Sequence, residues 1–175
     1  MKKSIYIITF SSLILLISFT LIYLFTNASV FYSLIITFGT ISYHFVMRLF
    51  VGLLINHIMK NKADYHKKWY QCHKGEEKFY RFIRIKKWKK RIRSFDESFF
   101  NPKIHSWDEI AQAMCQAEIV HEIIIVLSFV PIIFSIWFGE LLVFIITSVI
   151  SALIDSIFVM LQRYNRSRII KLIKE

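Results

Sequence analysis

Glu118, His121 and Glu122 stand at i, i+3 and i+4, which puts an imidazole and two carboxylates on one helix face. An imidazole beside a carboxylate is what a general base needs. The carboxylate fixes the tautomer and stabilises the imidazolium once the proton has moved. A second string, Gln162-Arg163-Tyr164-Asn165-Arg166 followed by Arg168, sets guanidinium forks three residues apart. Arg163 and Arg166 on one face could clamp a phosphate or carboxylate. Both strings adjoin long apolar stretches, where polar groups are expensive and tend to be functional. The plainer readings are an interfacial marker for the first string and a basic stop signal for the second.

The elements that position these strings follow from hydropathy. The chain has 175 residues, 55% of them hydrophobic, with 17 Phe, four Gly and two Pro. Its apolar residues fall in blocks long enough to cross a bilayer, at about 4–25, 30–55, 119–138 and 141–161. His44 and Arg48 interrupt the second block, and Arg48 must either snorkel to the surface or point into the bundle. The expected fold is an all-α integral membrane protein, a single membrane domain over 1–175. Four transmembrane helices carry a basic amphipathic helical cytoplasmic segment, 56–116, between helices 2 and 3. The turns at 26–29 and 139–140 carry no Lys or Arg, whereas fifteen fall between Lys60 and Lys103. The positive-inside rule then places both termini and the central segment in the cytoplasm of a multi-pass protein of the cell membrane. The first apolar block is too long for a cleavable signal core and reads as a retained helix.

Within the central segment the run from Glu77 to Arg93 alternates apolar and basic residues at helical spacing. Such a helix suits the plane of an anionic inner leaflet, with Lys86, Lys87, Trp88 and Lys89 as the surface contact. Basic residues among aromatics also occur in single-strand binders. Here topology and lipid already account for the net charge of +11, so no nucleic acid is expected. Ser106 and Glu109 have capping-box spacing and should open the helix that leads into the third span. Cys72 and Cys115 lack metal-type spacing and read as thiols in a reducing compartment. Glu-x-x-His is half of a di-iron motif, but the second copy is missing, so no metal site is expected.

From about Gly75 onward the chain resembles a known family, the small bacterial membrane acyltransferases typified by glycosyl-4,4'-diaponeurosporenoate acyltransferase of carotenoid synthesis. Four features carry the resemblance in order: Ile85-Lys86-Lys87-Trp88-Lys89, Ala117-Glu118-x-x-His121, Pro131, and Gln162-Arg163-Tyr164-Asn165-Arg166 with Arg168. The family pattern has Arg where this chain has Gln116, and Asn-x-Pro where it has Asp155-Ser156-Ile157. A Pro that usually follows the basic Trp string is also absent here.

The resemblance implies transfer of a fatty acyl group to a sugar hydroxyl of a membrane glycolipid, such as a carotenoid glycoside. In that reading His121 is the base, Glu118 its orienter, and Gln162 to Arg166 bind substrate. Arg163 and Arg166 would lie near the donor's phosphates or the developing oxyanion. Acyl-CoA or an acyl carrier would be the co-substrate, with no bound cofactor. The rival reading is a non-catalytic accessory protein that binds anionic lipid or partner helices. Scarce Gly and Pro in the spans argue against a transporter built on broken helices.

Overall fold

A computed structural model describes residues 2–88 and 98–174, and every regular element among them is helical. Helices α1 (Lys2–Thr26) and α2 (Ser29–Met59) come first. They are followed by α3 (Lys74–Phe82), α4 (Ile85–Trp88), α5 (Trp107–Leu127), α6 (Pro131–Phe138) and α7 (Leu141–Lys174). Four stretches are long and apolar enough to cross a membrane: Lys3–Thr26, Ser29–Met59, Trp107–Phe138 and Leu141–Ile173. The observed helices at each of the last three run further into the polar sequence than hydropathy alone suggests. Packing divides the chain into two units, residues 2–51 with 124–154, and residues 52–123 with 155–175.

The first unit is apolar, and several of its polar groups find partners, although Ser148 Oγ is buried without a hydrogen-bond partner among the described residues. Ser42 donates to Ser12 Oγ over 3.1 Å. Arg48 donates to Ser151 Oγ at 2.8 Å, so it points into this unit rather than snorkelling outward. Pro131 has no N–H to offer the Leu127 carbonyl four residues back, and α5 ends there. The Tyr43 hydroxyl supplies a donor to that carbonyl at 2.9 Å, and the Val130 N–H supplies another at 3.1 Å. Gly139 and Glu140, at φ 69° and 51°, form the turn between α6 and α7. Gly tolerates that left-handed geometry without cost.

The second unit holds both polar strings. Tyr65, Tyr70, Ile110, Met114, Cys115 and Ile169 form one core, and Tyr80, Ile85 and Leu161 another. The Ser106–Glu109 capping box opens α5: the Glu109 N–H donates to Ser106 Oγ at 3.2 Å, and the Ser106 N–H donates to Glu109 Oε2 at 2.9 Å. The continuous helix expected from Glu77 onward instead breaks between α3 and α4, where Arg84 adopts φ 53°. The break lets both Tyr80 and Ile85 reach Leu161, a pairing that one straight helix with Phe79 and Phe82 on its apolar stripe would not give. Phe79 and Phe82 are left exposed, beside Lys78 and Arg81. Of the anticipated surface string, Lys87 is exposed. Lys89 lies outside the described residues, as do the side chains of Lys86 and Trp88.

Candidate functional site

The two-residue turn before α7 returns the chain beside α5, and Asp155 lies nearly as far beyond that turn as His121 lies before it. His121 Nδ1 and Asp155 Oδ1 are 2.8 Å apart. The Asp155 side chain is 2% exposed and that of His121 22%. The Phe158 ring, one helical turn after Asp155, lies flat on the imidazole with centroids 4.6 Å apart and planes 7° from parallel. A carboxylate accepts, so Nδ1 carries the proton, and in the neutral ring Nε2 is then the nitrogen with the lone pair. Ring orientation and tautomer are thus both set by Asp155 and Phe158, and among the described residues no hydrogen bond engages Nε2, the nitrogen a reactant can meet.

Glu118 has a different place. Its side chain is completely buried and accepts from Arg163 Nη1 at 2.9 Å and from Arg166 Nη1. Arg166, itself completely buried, also donates to the Tyr70 carbonyl and lies over the Tyr70 ring at 5.1 Å. Arg163 reaches further to the Gln71 carbonyl and to Glu76 Oε1, each at 3.2 Å. Two guanidinium groups meet two carboxylates, and their terminal nitrogens Nη1 and Nη2 are taken by protein acceptors, whereas Arg163 Nε is buried with no hydrogen-bond partner among the described residues. The structure therefore brings Glu118 onto the arginines and Asp155 onto His121, where the sequence pattern pairs Glu118 with His121. One helix turn explains the exchange: Glu118 lies opposite the later part of α7, and only Asp155 is level with the imidazole.

The remaining members of the terminal string are dispersed. Tyr164 meets the Tyr80 ring edge-on at 6.4 Å, and Arg168 lies 5.9 Å from the Tyr164 ring. Asn165 is half-buried, whereas Gln162 is buried at 8% exposure. Glu122 accepts from Trp69 Nε1 at 3.0 Å, which ties the segment before α3 to the turn that carries His121. Glu76, in the first turn of α3, and Trp69, in a short 3-10 turn before it, are partners that spacing could not reveal, because each lies far in sequence from the side chain it meets. Counting outward from the turn in both directions brings His121 level with Phe158 and so within one helical turn of Asp155.

Two neighbouring groups in the loop and α3 are poor acids. Burial, and then the hydrogen bond and charge of Glu76, push the Cys72 thiol up to about 12. Burial likewise pushes the Tyr80 hydroxyl up to about 12. The thiol next to the Arg163 cluster therefore stays protonated at neutral pH and is no nucleophile. Among the described residues, no three of His, Cys, Asp and Glu come together to hold a metal ion.

Four helices long and apolar enough to cross a membrane, with a histidine–carboxylate pair and a buried arginine–glutamate cluster, mark a multi-pass helical membrane protein with a candidate proton-transfer centre. Residues 66–175 match the family model for glycosyl-4,4'-diaponeurosporenoate acyltransferase, and the chain belongs to that family. The matched region contains the basic Trp string, the Glu118–His121 pair, Pro131 and the Gln162–Arg166 string, and it begins somewhat before Gly75. Membership points to acyltransferase activity in carotenoid-related chemistry. No curated protein and no solved structure matches the chain.

Proposed function

We propose that the protein esterifies a sugar hydroxyl of a membrane glycolipid, of the carotenoid-glycoside kind, with a fatty acyl group from acyl-CoA or an acyl carrier. The observation that carries this reading is the 2.8 Å bond between His121 and Asp155, with the other ring nitrogen available. His121 Nε2 takes the proton of the acceptor hydroxyl as its oxygen attacks the acyl carbonyl carbon. The same nitrogen then returns the proton to the leaving thiolate. Asp155 is the positioning residue that holds the ring and stabilises the imidazolium between these events.

Asp155→Leu tests the pair. Turnover should fall about 10²-fold or more, the usual worth of a positioned general base, while KM for both substrates stays within a few-fold. Asp155→Asn should restore most of the loss, because its amide oxygen can accept the same Nδ1 proton and the family pattern has Asn at this place. A wild-type level in Asp155→Leu, assayed as acylated glycolipid from washed membranes, would remove Asp155 from the reaction.

We further propose that both termini and the segment from 56 to 116 face the cytoplasm, where the segment rests on an anionic leaflet through Lys86, Lys87, Trp88 and Lys89. The exposed Phe79 and Phe82 beside Lys78 and Arg81 support this, since aromatic and basic groups together suit a lipid interface rather than water. A cysteine at position 82 should react with an impermeant maleimide dye in inside-out vesicles and not in intact cells, measured above the wild-type background. The attached dye should emit at shorter wavelength when the vesicles contain anionic lipid. Labelling in intact cells contradicts the orientation; emission indifferent to anionic lipid contradicts the contact.

A further inference from the structure

The Phe158 ring lies parallel to the His121 imidazole, 7° between planes and 4.6 Å between centroids. By contrast, Tyr43, Tyr65 and Phe99 meet His44, His66 and His105 at 76°, 37° and 28°. Tilt decides what a ring contact consumes. An edge-on imidazole aims a ring N–H into the π face and so commits one of its nitrogens there. A parallel imidazole keeps both nitrogens in its own plane. Here Nδ1 meets Asp155 Oδ1 at 2.8 Å, and among the described residues no hydrogen bond engages Nε2. Phe158 carries no donor or acceptor that could compete for that nitrogen. What its face does carry is the negative side of a quadrupole. A protonated imidazole spreads its positive charge over the ring that lies against this face.

We propose that Phe158 is a positioning residue whose π face stabilises the His121 imidazolium while the proton is in transit. The role rests on the acyl-transfer reading above. In that reaction the acceptor oxygen bonds to the thioester carbon as His121 Nε2 takes its proton. The carbon–sulfur bond then breaks, and the departing thiolate takes that proton from Nε2. Between these events the imidazole bears a full positive charge. Its side chain is 22% exposed, so water reaches it only in part, and a cation gains most from an aromatic face when water is scarce. Asp155, itself 2% exposed, meets the charge at the edge of the ring, and Phe158 meets it from the perpendicular direction. The neutral imidazole gains little from the same quadrupole. The stabilisation is therefore stronger in the transition state than in the resting enzyme, and it raises kcat rather than affinity. Leu or Ile would serve equally well as packing in an apolar helix, but neither offers a face of negative potential.

The test keeps the shape of the ring and changes its charge distribution. Phenylalanines carrying one, two or three ring fluorines are placed at position 158 of the full-length protein by nonsense suppression. Activity is measured in membranes with glycosyl-4,4'-diaponeurosporenoate as acceptor and palmitoyl-CoA or palmitoyl-carrier protein as donor. Each fluorine withdraws electron density from the face. The expected result is a stepwise fall in kcat, reaching about 10-fold with three fluorines, while KM for both substrates changes less than about twofold. Phe158→Leu should lose about 10-fold or more, whereas Phe158→Tyr, which keeps the face, should stay within about threefold of wild type. Thermal unfolding in detergent should be the same across the fluorinated series. Equal kcat throughout that series would show that the ring only fills space, and it overturns the proposal even if Phe158→Leu is impaired. A loss carried by KM, or one that tracks earlier unfolding, overturns it as well. Absence of ester from the wild type with either thioester overturns the acyl-transfer reading itself, a result distinct from fluorinated variants that work as well as the wild type.

Discussion

His121→Ala should reduce acylated glycolipid by about 10³-fold or more while leaving the amount of protein in the membrane unchanged. A positioned base contributes about 10²–10⁴-fold, and alanine removes both the proton acceptor and the ring that Phe158 and Asp155 hold in place. The structural cost should be modest, because the imidazole is partly exposed and the buried charges of Glu118 and Arg166 remain paired. Product quantified by mass spectrometry from membranes with matched protein content decides the matter. Unchanged product would show that the histidine–aspartate pair is interfacial packing. The accessory-protein reading predicts that indifference, and it predicts damage instead from charge reversal at Lys86, Lys87, Lys89 and Lys90.

The second large effect concerns stability. Arg166→Ala leaves Glu118 buried with half its guanidinium contacts gone, and removes two donors from the Tyr70 carbonyl. Breaking one side of a buried pair typically costs about 3–5 kcal/mol, because the charge left behind has lost both water and its counterion. The Lys171–Glu77 pair offers a control within the same unit. Its lysine is 66% exposed, and such a surface pair contributes at most about 1 kcal/mol. Denaturation in detergent should therefore show Arg166→Ala strongly destabilised and Lys171→Ala nearly unchanged. Glu118→Leu combined with Arg166→Leu should recover much of the loss, since apolar groups can replace a buried ion pair at little cost. Equal stability of Arg166→Ala and wild type would contradict the burial described for this cluster.

Much of the helical framework was readable from residue order. Long uncharged runs mark the spans, and Ser106 with Glu109 marks the start of α5, because caps and spans are set by local chemistry. Both polar strings were identified as unusual for the same reason. Their pairings were harder. Glu118 and His121 are near in sequence, and local spacing suggested a dyad. Register across the α6–α7 turn decides otherwise, giving His121 to Asp155 and Glu118 to the arginines. In the sequence Asp155 is a lone carboxylate late in the fourth span and a departure from a family pattern, with nothing local to mark its partner. The break at Arg84 was hidden because the apolar and basic alternation of 77–93 continues through it. Only the need to seat both Tyr80 and Ile85 on Leu161 reveals where the helix must turn.

The buried cluster also has a consequence in time. Ribosomes make the chain from its N-terminus, so Glu118 emerges 45 residues before Arg163 and 48 before Arg166. Until those arginines arrive, a carboxylate bound for full burial has neither counterion to complete it. Glu118 must wait in water at the membrane surface or enter protonated, and the Tyr70 carbonyl waits with it for the same guanidinium. Closure of the segment over α5 therefore belongs to the last stage of biosynthesis. A chain interrupted between His121 and Arg163 would carry the base yet lack the clasp that holds the segment to α7.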